Sequence, residues 1–314
     1  MVSPVNVVFM GSPDFAVPAL EALVSSGGDA HYGYKVVGVV TQPDRPAGRG
    51  RTLVPPAVKS AALRLGLPLL QPEKLRAPEA VEQLQAWSPD LIVVAAFGQI
   101  LRPEVLDLPE FGCINVHGSI LPRWRGATPI QASILAGDQE TGITVMKMDP
   151  GIDTGPILSQ RTIPISSNET SGTLFAKLAP LGAELLMVTL PKYFSGEIKP
   201  RPQPEEGATY TKMLKKENGR LDFTQPAIEL ERRVRAFNPW PGAYFEYNGN
   251  PLKVEQASIA PGDFEPGKHV LYQGNPAIAA SEGLLVLEEV HPAGKKSMQG
   301  KAFLAGARDW TNTI

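Results

Sequence analysis

The sequence predicts an α/β sheet domain over its first two thirds, followed by a smaller β-barrel domain, and three observations carry that expectation. Val5 to Met10, Val36 to Val40 and Leu91 to Phe97 are rich in Val, Ile and Leu, as parallel strands buried on both faces are. Between them apolar residues recur at three- and four-residue spacing, which is the rhythm of amphipathic helices. Beyond about residue 207 the rhythm changes to short strands separated by frequent turns.

In chain order, the first helix is expected where Ala16, Ala19, Leu20, Leu23 and Val24 share a face, and another at Ala57, Val58, Ala61, Ala62 and Leu65. A strand from Gly112 to His117 precedes a helix from Thr128 to Ala136. Strands near Thr144 to Met148 and Ile157 to Ile165 lead into long helical periodicity from Ser171 to Leu190. The segment from Ile198 to Gly207 carries prolines at alternate positions, which favour an extended, semi-rigid linker. The expected organisation is therefore a domain over 1–196, a Pro-rich linker over 197–210 and a second domain over 211–314. In that second domain a helix at Ile228 to Phe237 is followed by strands at Tyr244 to Tyr247, Leu252 to Ile259, Val270 to Gln273 and Leu284 to Val290. Asn248-Gly249 between the first two is a hairpin signal. Ala260 to Lys268 reads as loop.

Composition narrows the function classes. The 314 residues hold 30 basic and 32 acidic side chains, a net charge of −2, so bulk charge does not advertise nucleic acid. From Gly196 to Ile314 there are 15 basic and 15 acidic residues, so a polyanion contact there would need clusters such as Lys212, Lys215 and Lys216, or Lys295 and Lys296. A single cysteine, Cys113, excludes an intrachain disulfide and any multi-cysteine zinc site, which fits a reducing compartment. The start of the chain lacks a basic region before its apolar run, and no stretch approaches 18 uninterrupted apolar residues. The expectation is a cytoplasmic protein without a membrane partner.

Few residues can carry chemistry. The turn after the first strand has one glycine, Gly11, where dinucleotide-binding folds want Gly-x-Gly-x-x-Gly, so a nicotinamide cofactor is not expected and Gly11 reads as a tight turn. The histidines, His31, His117, His269 and His291, are too scattered for a metal-ligand run, so no metal is expected. His117 ends an apolar strand, where open α/β sheets put their ligands. Strand alternation puts Asn115 on the same face, ~6.6 Å away by strand rise. An amide donor beside an imidazole suits an oxyanion and proton-transfer site. Cys113 shares the face but lies ~13 Å from His117, too far for a nucleophile–base bond, and reads as core. Asp149 and Asp153 lie in a Gly-rich turn after a strand; a backbone cap accounts for one of the two, and Asp153 is the candidate to orient His117 and favour its imidazolium, although spacing alone does not fix its partner. The loop from Ser119 to Ile130 mixes bulky apolar side chains with Arg123 and Arg125, and the loop from Thr41 to Thr52 carries Arg45, Arg49 and Arg51; both read as binding loops.

Gly-Cys-Ile-Asn-Val-His-Gly-Ser from Gly112, Leu-Pro-Arg-Trp-Arg-Gly-Ala from Leu121 and Asp-Pro-Gly-Ile-Asp-Thr-Gly from Asp149 together resemble the formyltetrahydrofolate-dependent formyltransferase family. Thr-Gln-Pro-Asp-Arg-Pro-Ala-Gly-Arg-Gly from Thr41 and Ala-Phe-Asn-Pro-Trp-Pro-Gly from Ala236 resemble the branch of that family acting on methionyl initiator tRNA. The resemblance implies a Rossmann-like, doubly wound, mostly parallel sheet and a C-terminal β-barrel of OB type that binds tRNA. It implies Asn115, His117 and Asp153 as catalytic residues, Ser119, Ile120, Leu121 and Pro122 as the folate-binding segment, and 10-formyltetrahydrofolate as co-substrate. It further implies that Arg45, Arg49 and Arg51 meet the acceptor end of the tRNA, with Arg49 matching the family's functional arginine; Lys295 and Lys296 are the expected contacts in the second domain. A monomer is expected. The rival readings are a formyltransferase for a small amine and a noncatalytic RNA-binding protein on the same scaffold.

Overall fold

The computed structural model describes residues 4–26, 33–47 and 52–312. The first strand, β1 (Val5–Gly11), is followed by helix α1 (Val17–Ser26) and by β2 (Tyr34–Val40). A short hairpin of β3 (Arg45–Ala47) and β4 (Thr52–Val54) precedes α2 (Ala57–Arg64), β5 (Leu69–Leu70), α3 (Pro78–Ala86) and β6 (Leu91–Ala95). Then come α4 (Pro103–Leu106), β7 (Cys113–His117), the two-residue β8 (Arg125–Gly126), α5 (Pro129–Ala136), β9 (Glu140–Lys147), β10 (Ile157–Pro164), α6 (Ser171–Phe194) and β11 (Tyr210–Thr211). The remainder comprises α7 (Ala227–Ala236), β12 (Ala243–Tyr247), β13 (Asn250–Ala260), β14 (His269–Tyr272), β15 (Asn275–Ala279), β16 (Leu284–Pro292), β17 (Met298–Gln299) and α8 (Gly300–Leu304).

The chain divides into two compact units that interleave in sequence. One comprises Met1–Pro129, Thr141–Ile163 and Phe175–Thr211; the other comprises Ile130–Glu140, Pro164–Leu174 and Lys212–Ile314. In the first, seven strands form one sheet in the order β10-β9-β7-β6-β1-β2-β5. The pairs from β7 through β6, β1 and β2 to β5 are parallel, and β9 joins antiparallel to β7. Strand order reverses beside β1, as in Rossmann-like sheets. The apolar runs explain the position of the central strands: all five residues of β6 and of β7 are buried, as a strand covered on both faces requires. The β1 turn is closed by packing, since a Cβ on Gly11 would lie 2.7 Å from Ala16 Cβ and 2.9 Å from the Ala95 carbonyl oxygen. Helix α6 is long and apolar enough by length and composition to cross a membrane, and half of that stretch is buried within the protein.

In the second unit the strands run in the order β12-β13-β16-β15-β14, all antiparallel, with β17 added beside β16. Asn248 and Gly249 have φ of +49° and +72°, the left-handed pair that a tight hairpin between β12 and β13 demands. Helix α7 buries Leu230 and Val234 against Phe245, Leu252, Leu285 and Leu287. Trp310 is buried at the other side of this core and stacks on His269 at a centroid distance of 4.1 Å.

Helices α3, α4 and α8 have no counterpart in the sequence reading, and three further features depart from it. The loop after β2 contains the β3–β4 hairpin, whose residues Leu53 and Val54 are exposed, so no alternation of buried and exposed positions marks it. Strand β15, Asn-Pro-Ala-Ile-Ala, is built of small residues and a proline, and owes its existence to pairing on both sides rather than to local propensity. The segment from Pro200 to Thr211 is extended but docked: Arg201 exchanges backbone hydrogen bonds with Ile157, and β11 pairs with β8.

Candidate active site

Strand β7 delivers Asn115 and His117 to the carboxyl edge of the sheet, both buried. The loop after β9 brings Asp153 to them. Asn115 Nδ2 donates to Asp153 Oδ1 at 3.2 Å, and His117 Nδ1 lies 3.6 Å from Asp153 Oδ2. The same Oδ2 accepts the Gly126 backbone N–H at 2.8 Å. His117 Nε2 lies 2.9 Å from the Trp124 carbonyl oxygen. A carbonyl oxygen only accepts, so Nε2 carries a proton and Nδ1 is the nitrogen turned towards the carboxylate.

The two aspartates are separated by their partners. Asp149 Oδ1 accepts from the Gly151 N–H at 3.0 Å and from Thr154 Oγ1 at 2.7 Å, which makes it the cap of the turn. Asp153 is left to face the imidazole. Its φ of +52° and that of Trp124, +64°, are two of six left-handed values at non-glycine residues in the described chain. Both flank His117, one through its carboxylate and the other through its carbonyl. Such conformations cost about 1–3 kcal/mol each and persist where the surroundings impose them. Gly126 has φ +105°, and a Cβ there would lie 2.5 Å from the Thr211 carbonyl oxygen, so the N–H that holds Asp153 depends on a residue without a side chain.

The segment after His117 is tied down from below. Thr144 Oγ1 donates to the Ser119 carbonyl at 2.7 Å and accepts the Leu121 N–H at 3.1 Å, while Gln160 Nε2 donates to the Leu121 carbonyl at 2.9 Å. Ser119 and Leu121 are buried, the Ser119 hydroxyl donating to the Arg123 carbonyl; Ile120 and Pro122 are partly exposed. Arg125, expected as part of a binding loop, is fully buried instead. Its guanidinium meets Gln203 Oε1 at 3.1 Å, the Tyr210 hydroxyl at 2.8 Å and Glu205 at 3.4 Å, so it anchors the docked segment. Gln203 also donates to the carbonyls of Asp153 and Gly155. Neither role was visible in the sequence, because both depend on contacts about 50 to 80 residues apart in the chain.

Cys113 is buried among Val105, Leu106 and the sheet core, and burial pushes its thiol up to about 12, as a core residue's would be. Of the arginines after β2, Arg45 is exposed at the start of the hairpin, 3.8 Å from Glu73, and Arg49 and Arg51 lie outside the described residues. The hairpin base is fixed by Lys59 Nζ on Asp44 at 2.7 Å and by Gln71 on Asp44 at 2.8 Å; these hydrogen bonds hold the Asp44 carboxyl below its usual range. Lys295 and Lys296 are exposed in the turn between β16 and β17. Among the described residues no group of three or more His, Cys, Asp and Glu side chains is placed to hold a metal ion.

An amide donor, an imidazole and a carboxylate converging at the end of a parallel strand can serve acyl-group transfer, with two donors for a developing oxyanion and a carboxylate to orient the imidazole and take up a proton. The chain belongs to the formyl transferase family. The family's formyl transferase model matches residues 5–190 and its C-terminal domain model matches residues 213–308. The chain is 51% identical to the methionyl-tRNA formyltransferase of Chloroflexus aggregans over 96% of its own length and 97% of that protein. It is likewise 51% identical to the methionyl-tRNA formyltransferase of Myxococcus xanthus, over 96% and 95% of the two chains. A solved sugar 3N-formyl transferase, crystallised in the presence of dTDP and 5-N-formyl-THF, shares the fold with a TM-score of 0.65 at 16% identity, over 94% of this chain and all of that one.

Proposed function

We propose that this protein transfers the formyl group of 10-formyltetrahydrofolate to the free α-amine of methionyl initiator tRNA, acting as a monomer in the cytoplasm. The observation that carries the reading is the meeting of Asn115 Nδ2 and His117 Nδ1 on one carboxylate, Asp153. Near-full-length identity to relatives named for methionyl-tRNA supports the acceptor. The residues fit a formyl donor. Asn115 Nδ2 has a second hydrogen not used by Asp153, and the 3.6 Å gap between His117 Nδ1 and Asp153 exceeds a hydrogen bond, so that amide hydrogen and, on the imidazolium, Nδ1–H are open to an entering formyl oxygen.

The neutral methionyl amine attacks the formyl carbon, forming the new C–N bond and a tetrahedral oxyanion. Asn115 and protonated His117 hold that oxygen; losing one such donor typically costs about 100- to 1000-fold in rate. Asp153 supports the imidazolium and relays the proton of the attacking amine, through a water, towards the departing folate nitrogen. Collapse of the intermediate breaks the bond to that nitrogen, which leaves with the proton. Ser119, Ile120, Leu121 and Pro122 bound the folate side, with Ile120 and Pro122 offering partly exposed apolar surface. Arg45, Arg49 and Arg51 contact tRNA phosphates, as do Lys295 and Lys296. The Pro-rich segment is the link between a catalytic domain and a tRNA-binding domain, and it falls between the two matched regions, residues 191–212.

The test is formyl transfer from 10-formyltetrahydrofolate to methionyl initiator tRNA beside uncharged tRNA, glycinamide ribonucleotide and no acceptor. Formylation of the charged tRNA alone is expected. Transfer only to the small amine overturns the acceptor, and no folate turnover overturns the reading. Affinity for the tRNA falls as salt rises, because phosphate contacts release counterions; salt-independent affinity contradicts the phosphate contacts.

A further inference from the structure

The Pro-rich segment has the sequence of an extended linker, but Gln203 and Thr209 reach the candidate active site. Gln203 is partly buried between exposed neighbours. Its Nε2 donates to the Asp153 carbonyl at 2.8 Å and to the Gly155 carbonyl at 2.7 Å, bracketing the turn that holds Asp153 at φ +52°. Its Oε1 accepts from Arg125 Nε at 3.1 Å, which settles which end of the amide faces the carbonyls. Arg125 is fully buried and further held by the Tyr210 hydroxyl, and the next residue, Gly126, donates its N–H to Asp153 Oδ2. The Thr209 hydroxyl accepts the Trp124 N–H at 2.8 Å, and the Trp124 carbonyl is the partner of His117 Nε2. One strand of chain from Gln203 to Thr211 thus fixes the partners on both sides of His117.

We infer that Gln203 is a positioning residue for the formyl-transfer reaction, holding Asp153 in its left-handed conformation so that the carboxylate faces Asn115 and His117. The inference rests on the proposed formyl transfer. An amide is the side chain that suits the place: it presents two hydrogens to two carbonyls and an oxygen to a guanidinium. A carboxylate of the same size keeps the Arg125 contact and turns an oxygen towards both carbonyls. Released from these bonds, the Asp153 backbone relaxes out of the left-handed region and the carboxylate turns with it. Misplacement of about 1 Å at a catalytic group can cost about 100-fold.

The experiment is a double-mutant cycle of Gln203→Glu with Asp153→Asn, read by single-turnover formyl transfer, with the Asn115 side-chain amide followed by nitrogen NMR in parallel. Gln203→Glu lowers kcat by about 10- to 100-fold with KM for both substrates within about threefold, and has no further effect in the Asp153→Asn background, because Gln203 acts only through Asp153. The Asn115 side-chain amide, which donates to Asp153 Oδ1, shifts its resonances in Gln203→Glu towards those of Asp153→Asn. Wild-type kcat in Gln203→Glu, or a loss that multiplies undiminished with Asp153→Asn, overturns the assignment. If Gln203→Glu does not fold, Gln203→Ala carries the same expectations, with Arg125 retaining Glu205 and Tyr210. A wild-type protein that formylates nothing refutes the proposed function instead; the NMR readout then decides the positioning role alone, and unchanged Asn115 amide resonances in Gln203→Glu overturn it.

Discussion

Replacing Asp153 by asparagine keeps the shape of the side chain and changes one oxygen into a donor. Three groups face this carboxylate, and all of them are donors in the arrangement proposed: Asn115 Nδ2 at 3.2 Å, the Gly126 N–H at 2.8 Å and His117 Nδ1 at 3.6 Å. The new amide has one acceptor. If it serves Gly126, its NH2 meets Asn115 Nδ2 donor to donor, and the conflict is relieved by flipping Asn115. That flip presents the Asn115 carbonyl oxygen where the oxyanion develops. One substitution therefore removes the negative charge behind the imidazolium and an oxyanion donor. The donor is worth about 10²–10³ in rate and the proton-transfer role about 10²–10⁴. Because the three residues act as a unit the losses overlap, and the expected fall in kcat is about 10³–10⁴. The assay is single-turnover transfer of labelled formyl to methionyl initiator tRNA, with thermal unfolding as the control for folding. A folded Asp153→Asn protein within tenfold of wild-type turnover refutes the reasoning.

Gly126→Ala places a Cβ 2.5 Å from the Thr211 carbonyl at φ +105°, so the Asp153 contact is displaced; kcat drops at least tenfold, measured in the same assay, and an unchanged rate shows that the N–H contact is dispensable. In the second unit, burial holds the His269 pKa below its usual value, and its Nδ1 meets no hydrogen-bond partner among the described residues. The unfolded chain takes up the proton first, so stability is full above about pH 6.5 and falls as pH drops towards the lowered native value, by at most about 1.4 kcal/mol per unit from this group. Thermal unfolding between pH 5 and pH 8 shows this slope, and His269→Phe, which keeps the stack on Trp310, loses that part of it; identical slopes in the two proteins contradict the assignment. With its thiol pushed up to about 12, Cys113 stays protonated at pH 8. Native protein therefore resists thiol reagents that label the denatured chain, and Cys113→Ala turns over within a few-fold of wild type; rapid native labelling, or loss of turnover in a folded variant, reverses this reading.

What the sequence reveals is set by how local the physics is. The strand carrying Asn115 and His117 is legible because its burial pattern and its position before Gly118 are properties of adjacent residues. The Asn248-Gly249 hairpin is legible because two left-handed residues in a row demand those side chains. The choice between Asp149 and Asp153 is not legible, since both occupy one turn, and the decision lies in Gly126 and Gln203, 27 and 50 residues from Asp153. Arg125 looks like a surface cation because nothing near it in the chain announces Gln203, Glu205 and Tyr210, which together make its burial possible. The docking of the Pro-rich segment is hidden for the same reason: alternating prolines dictate an extended backbone, and the tertiary partners dictate what that backbone touches.

In the proposed reaction Asn115, His117 and Asp153 pass a formyl group directly to an aminoacyl-tRNA amine. Its most direct test is a quenched-flow experiment with excess protein and 10-formyltetrahydrofolate labelled in the formyl carbon. Direct transfer passes label to methionyl initiator tRNA in one phase and binds none to the protein, and Asn115→Ala and Asp153→Ala slow this phase without changing where the label goes. Label stably attached to the protein, or released as formate at the same rate without acceptor, would contradict it.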